Sequence, residues 1–203
     1  MTDGNGTVAR CAMDGVTDRR LAVSIIEQRH ERRPQPEIVL YQAAPKGAKM
    51  DEIVERSAEL GVAELCVFGS TRTVVRWRGD KLNQLAARWQ GKARSAAKQS
   101  RDPFVMRTGP AMGWSEMLDQ IRHEPFAMTL WEDGSVGLRE LLPATAKRVA
   151  LVVGPEGGLT SEEAAELAGA GAASVSLGPR IFRTEMASVA ATAALLWHYG
   201  LIG

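Results

Sequence analysis

Apolar and polar side chains alternate along residues 7–13 and again along 20–28, the period of a half-covered β-strand. Asp14-Gly15-Val16-Thr17-Asp18 lies between them and reads as a turn, so the pattern predicts a β-hairpin. A hairpin alone is marginal in water, so this one needs a surface to pack on. Residues 30–37 are charged and carry Pro34 and Pro36, which suits a linker. From Ile38 onward the period changes. Residues 38–42, 62–68, 104–106, 126–130, 148–153 and 173–177 are short strand-like runs. Residues 49–60 read as a helix that stops at Gly61. Leu82, Leu85, Ala86, Trp89, Ala93, Ala96 and Ala97 recur at helical spacing. Residues 115–123 predict a helix broken by Pro125. Thr160 with Glu163 forms a capping box before a helix over 161–170. Residues 184–199 form an alanine-rich helix. Strands alternating with helices predict an α/β fold: a mostly parallel sheet covered on both faces.

Two strand-to-helix connections carry unusual residues. The first is Val153-Gly154-Pro155-Glu156-Gly157-Gly158-Leu159-Thr160; the second is Leu177-Gly178-Pro179-Arg180-Ile181-Phe182-Arg183-Thr184-Glu185. In a parallel sheet, loops at the carboxyl ends of strands are where ligands bind. The first lacks the Gly-Lys-Ser/Thr of a phosphate loop and is not a GxGxxG turn, which argues against nucleoside triphosphates and NAD. Taken alone, it is equally a tight turn. The second is harder to dismiss. Glu185 suits the start of a helix, but Arg180 and Arg183 do not, because cations are disfavoured there.

Composition narrows the classes. The 203 residues are 45% hydrophobic with a net charge of +1. That charge is unevenly spread. Residues 76–107 hold nine basic side chains (Arg76, Arg78, Lys81, Arg88, Lys92, Arg94, Lys98, Arg101, Arg107) against Asp80 and Asp102, which suits a polyanionic partner or a solvated helix face. Cys11 and Cys66 lack metal-site spacing, and His30, His123 and His198 are scattered, so no metal centre is expected. No run of residues reads as a secretory signal or a membrane span, and a cytoplasmic location is expected.

The paired motifs Val153-Gly-Pro-Glu-Gly-Gly158 and Leu177-Gly-Pro-Arg-Ile-Phe-Arg-Thr-Glu185 resemble those of the RsmE family, the small-subunit (16S) ribosomal RNA (uracil-N3)-methyltransferases of the SPOUT superfamily. Upstream, Lys46-Gly-Ala-Lys-Met50, Arg56-Ser-Ala-Glu-Leu-Gly61, Arg72-Thr-Val-Val-Arg-Trp77 and Ala96-Ala-Lys-Gln-Ser-Arg101 resemble further family motifs in the same order. Phe182, Met186 and Lys98 stand where many members have Leu, Thr and Glu.

The resemblance implies a SPOUT domain over residues 38–203 with a deep trefoil knot at about 150–200, preceded by a partial PUA-like, RNA-binding β segment at 1–33. It implies S-adenosyl-L-methionine as cofactor, held by Leu130, Val153, Gly154, Pro155, Glu156, Gly157, Gly158, Leu177, Gly178, Arg180, Ile181, Phe182 and Thr184. The implied partners are 16S rRNA or the small subunit, and a second copy of the chain docked through Ala187, Ala190, Ala191 and Ala194. Arg180 or Arg183 would stabilise a uracil anion, and Glu185 would orient that arginine or take the proton. Glu156 would fix its loop or a ribose hydroxyl. Arg72, Arg76, Lys92, Lys98 and Arg101 would contact RNA, and Trp77 could stack a base. Two other readings remain open: a SPOUT methyltransferase acting on transfer RNA, and a non-catalytic knotted RNA-binding factor.

Overall fold

The computed structural model describes residues 1–74, 79–132, 134 and 136–203. Arg76 and Trp77 lie outside the described residues.

Strands β1 (Thr7–Thr17) and β2 (Arg20–His30) form a separate antiparallel ribbon. The turn is not the expected Asp14–Asp18. Thr17 pairs with Arg20, and the two residues between them, Asp18 and Arg19, both have positive φ, +39° and +67°. Such two-residue turns match the right-handed twist of the flanking strands. The Asp14-Gly15 signal marks a bulge within β1 instead.

The ribbon is anchored at its base. Gly6 N–H donates to Pro103 O (3.1 Å), Val105 N–H to Gly4 O (2.8 Å) and Glu31 N–H to Gly6 O (2.9 Å). Gly6 has φ +98°, and a Cβ there would meet the Phe104 ring at 2.6 Å, so only glycine fits. Residues 104–106, expected to be a sheet strand, instead pair partly with this N-terminal segment.

The remaining chain builds β3 (Glu37–Ala43), α1 (Lys49–Glu59), β4 (Glu64–Phe68), α2 (Asp80–Ser100), β5 (Arg107–Thr108), α3 (Trp114–Ile121), β6 (Ala127–Leu130), α4 (Leu138–Leu141), β7 (Arg148–Val153), α5 (Ser161–Gly169), β8 (Ala172–Val175) and α6 (Thr184–His198). Six strands form one all-parallel sheet in the order β5-β4-β3-β7-β6-β8. The expected mostly parallel α/β architecture is what the structure has.

Strand alternation divides the core. Ile38, Leu40, Val149, Leu151 and Val153 share one buried cluster with Ile53 and Val54 of α1, Trp89 and Ala93 of α2 and Ala191 and Leu195 of α6. Val39, Tyr41, Ala150 and Val152 share the other with Met117 and Ile121 of α3 and Leu167 of α5. All five β7 residues named here are fully buried or nearly so, as a central parallel strand requires. Among the described residues no helix is long and apolar enough to cross a membrane.

Candidate functional site

Strands β6, β7 and β8 are adjacent and parallel, so Leu130, Val153 and Val175 finish at one edge. Their following loops enclose a cavity of about 420 Å3, a volume in the range of nucleoside-sized sites. Of the expected cofactor residues, Leu130, Val153, Gly154, Pro155, Glu156, Gly158, Leu177, Gly178, Arg180, Ile181, Phe182 and Thr184 line it. Gly157 does not. Its carbonyl faces outward and accepts from Arg72 Nη1 at 2.5 Å. Pro179, within the expected second loop, lines it too, and Trp131, Glu132, Leu159, Val175, Ser176 and Ala187 also line the cavity but were not expected as cofactor residues. Trp131 and Glu132 follow β6 directly, a signal that was readable.

A buried polar network holds the two loops together. Thr184, the first residue of α6, donates from Oγ1 to Gly154 O (2.7 Å) and accepts from Gln42 Nε2 (2.9 Å). Ser188, one turn later, shares its one hydroxyl proton between Gln42 Oε1 and Thr184 O (3.0 Å). Gln42, Thr184 and Ser188 are all at most 4% exposed. A polar group buried this deeply is costly unless paired, so each hydrogen bond here fixes position as well as energy. The one warning in sequence was a glutamine closing an apolar strand.

The first loop is tied on two further sides. Lys46 N–H donates to Glu156 Oε1 (3.0 Å), and Lys49 Nζ lies 3.1 Å from the same oxygen. Partial burial pushes the Glu156 carboxyl up, but hydrogen bonds from its own backbone, Lys46 and Lys49 outweigh this and hold it below the ordinary carboxylate range. The hydrogen bond to Glu156, with the Glu185 carboxylate close by, raises the Lys49 ammonium above its ordinary value. Glu156 is thus tied to Lys46 and Lys49 while it also lines the cavity. At the other side Glu163 accepts from Thr160 N–H through Oε2 (2.9 Å) and from Thr71 N–H through Oε1 (2.7 Å), completing the expected capping box with Thr160.

The three expected catalytic residues are placed differently from one another. Arg180 is exposed on the cavity wall. Arg183 caps α6 with an extended backbone and is exposed beside the wall residues Phe182 and Thr184. Glu185 is outside the wall, and its Oε2 lies 3.3 Å from Lys49 Nζ. Among the described residues neither arginine has an ion-pair partner.

The expected RNA residues are scattered in role. Lys98 and Arg101 are exposed at the end of α2. Lys92 is paired with Glu55 and lies 3.8 Å from Asp51. Arg88 is also paired with Asp51, and Arg107 with Glu64 at 3.0 Å. The basic stretch is thus partly neutralised by α1, which reading α2 alone could not reveal. The expected alanine face of α6 is split as well. Ala191 is fully buried in the core and Ala187 lines the cavity, while Ala190 and Ala194 are half-buried. The exposed large apolar side chains on α6 and the loop leading into it include Ile181, Phe182, Met186 and Trp197.

Residues 31–196 match the model of a family described as RNA methyltransferase domain. The chain is 29% identical over 197 residues to Ribosomal RNA small subunit methyltransferase E of Mycobacterium tuberculosis, covering 95% of this chain and 75% of that protein. It is 28% identical over 206 residues to the Bacillus subtilis protein of the same name, covering 98% and 80%. The crystal structure of Ribosomal RNA small subunit methyltransferase E from Neisseria gonorrhoeae bound to S-adenosyl methionine superimposes with a TM-score of 0.87 at 30% identity, covering 97% of this chain and 81% of that one.

Proposed function

The chain belongs to the RsmE family of RNA methyltransferases, and from that premise we propose that it transfers a methyl group from S-adenosyl-L-methionine to N3 of one uridine in small-subunit ribosomal RNA. The observation that carries this reading is the single cavity in which both glycine-rich loops meet, with Arg180 on its wall and Arg183 and Glu185 beside it. The cavity fits the cofactor by its chemistry. Leu130, Val153, Leu177 and Ile181 offer apolar surface for an adenine. Gly178, with φ +95° and open space where a Cβ would stand, lets backbone approach a ligand closely.

Bound there, the cofactor supplies an electrophilic methyl on a sulfonium, which uracil N3 takes up while the sulfur keeps the bonding electron pair. Such a displacement depends on alignment more than on strong acid–base help, and the Gln42–Thr184–Gly154 network supplies rigidity for it. Uracil N3 must shed its proton to attack. Arg180 or Arg183, each free of a carboxylate partner among the described residues, would stabilise the resulting anion at O2 or O4. Glu185 would accept the proton, directly or through one water. Because N3 is hidden in a base pair, the target uridine must be unpaired or extruded.

Lys98 and Arg101 on α2 would track phosphates, with Arg72 adding to them from beside the cofactor loop. The ribbon at 1–33 would extend the RNA surface as a partial PUA-like unit. A second copy of the chain would dock on Phe182, Met186 and Trp197 together with Ala190 and Ala194. Support for a knot at about 150–200 comes from chain order: β7 enters between β3 and β6, and α6 returns from beyond β8 to pack on α1, β3 and β7. Mass mapping of small-subunit rRNA from cells lacking the protein should show one N3-methyluridine missing. An unchanged modification map would defeat the proposal.

A further inference from the structure

We propose that Lys49 is a positioning residue for methyl transfer: its ammonium, shared by Glu156 on the cofactor loop and Glu185 on α6, sets the spacing between donor and proton acceptor. The inference rests on the reading of Glu185 as that acceptor.

Three observations converge on it. The first is the bridge itself, 3.1 Å to Glu156 Oε1 and 3.3 Å to Glu185 Oε2. The second is the state of the Glu185 oxygen. It is buried and, among the described residues, receives no well-aligned hydrogen bond, so the Lys49 charge is what compensates it. The third is where the lysine stands. Lys49 is the first residue of α1, followed by Asp51 and Glu52 in the same turn. A cation there opposes the helix dipole, so helix stability does not account for it. The two carboxylates across the gap do.

The bridge is asymmetric. Glu156 keeps a second tether, the Lys46 N–H, when Lys49 is removed. Glu185 keeps no charged partner among the described residues. Among the described residues, Gln42 of β3 and the carbonyl of Gly154, just after β7, are the groups hydrogen-bonded to Thr184 at that end of α6, and both are uncharged. Loss of Lys49 therefore leaves the cofactor loop held and frees the acceptor, a displacement that methyl transfer punishes at turnover rather than at cofactor binding.

The test is steady-state kinetics of the full-length protein on small-subunit rRNA for Lys49→Met, Lys49→Gln and Lys49→Arg, beside Glu185→Gln. Lys49→Met and Lys49→Gln should lower kcat about 100-fold, with KM for S-adenosylmethionine within about twofold. Lys49→Arg should restore most of the rate. A Lys49→Met or Lys49→Gln enzyme with wild-type kcat overturns the inference, and so does one whose defect lies wholly in cofactor KM. Should Lys49→Met fail to fold, Lys49→Gln gives the same reading. If Glu185→Gln itself turns over normally, the assignment of Glu185 falls first, and the inference falls with it for that separate reason.

Discussion

The two ends of the parallel sheet handle charge in opposite ways. At the amino end of β7, Arg148 meets Glu124 (Nε to Oε2, 2.7 Å), Glu64 (3.2 Å) and Glu37 (3.5 Å), and Tyr41 donates to Glu124 at 2.9 Å. The carboxylates, chiefly Glu124, hold the guanidinium well above its ordinary pKa, and burial, with Glu124 nearby, pushes the Tyr41 hydroxyl up. Arg148 and each of these three carboxylates has a counterpart. At the carboxyl end, Arg180 and Arg183 stand exposed without an ion-pair partner among the described residues, next to a cavity. Saturated charge serves the fold, whereas unsaturated charge is available to a substrate.

Glu185→Gln should break the contrast most strongly. Removing a proton acceptor should lower kcat by about 10²–10⁴-fold, while calorimetric binding of S-adenosylmethionine stays near wild type. Arg148→Met should do the reverse. It leaves Glu124, whose side chain is 6% exposed, without its cation. The expected cost is about 2–4 kcal/mol, below the full value for a buried pair because Arg148 itself is partly solvated. Chemical denaturation would read it, with kcat unchanged below the melting transition.

The same variant has a pH signature. Burial pushes the Glu64 carboxyl up, but hydrogen bonds from Arg107 and Arg148 outweigh this and lower it from 4.5. A lowered folded-state value means stability that is present above pH 4.5 and lost as pH falls through the folded value. Arg148→Met should flatten that acid loss, measured as melting temperature between about pH 6 and 3.

A smaller effect is expected from Thr184→Val, which removes the hydroxyl shared by Gly154 and Gln42. It should cost about 1–3 kcal/mol of stability and weaken cofactor binding, whereas Thr129→Val, whose buried hydroxyl has no hydrogen-bond partner among the described residues, should not. The smallest effect concerns RNA. Lys98→Ala or Arg101→Ala should each reduce the slope of log affinity against log salt by about 0.7–0.9. Lys92→Ala should change it less, since Glu55 already neutralises that lysine.

Legibility from sequence followed the range of the interactions. Periodicity located α1, α2, α5, α6 and the central strands because burial imposes it locally. The Thr160–Glu163 capping box was readable because both partners lie within one turn. Glycine and proline marked the two loops that meet at the cavity. Partnerships across the chain were not readable. Gln42 and Ser188 are 146 positions apart, and nothing near either announces the other. The pairing of α2 with Asp51 and Glu55 is equally long-range. The hairpin turn was misplaced because Asp-Gly is a strong local signal, and the paired register instead put it in a bulge. The edge strand β5 is only two residues long, too short for any period.

Glu163 spends one oxygen on the cap of α5 and the other on the amide of Thr71. The Glu163 carboxylate thereby joins two loops 89 residues apart, beside the Arg72–Gly157 hydrogen bond. If they part, the Thr71 amide loses its acceptor and Arg72 loses the Gly157 carbonyl, so the two loops behave as a latch. Amide hydrogen exchange at Thr71 and Thr160 should slow together when the cavity fills, so cofactor occupancy would be felt in the loop that carries Arg72.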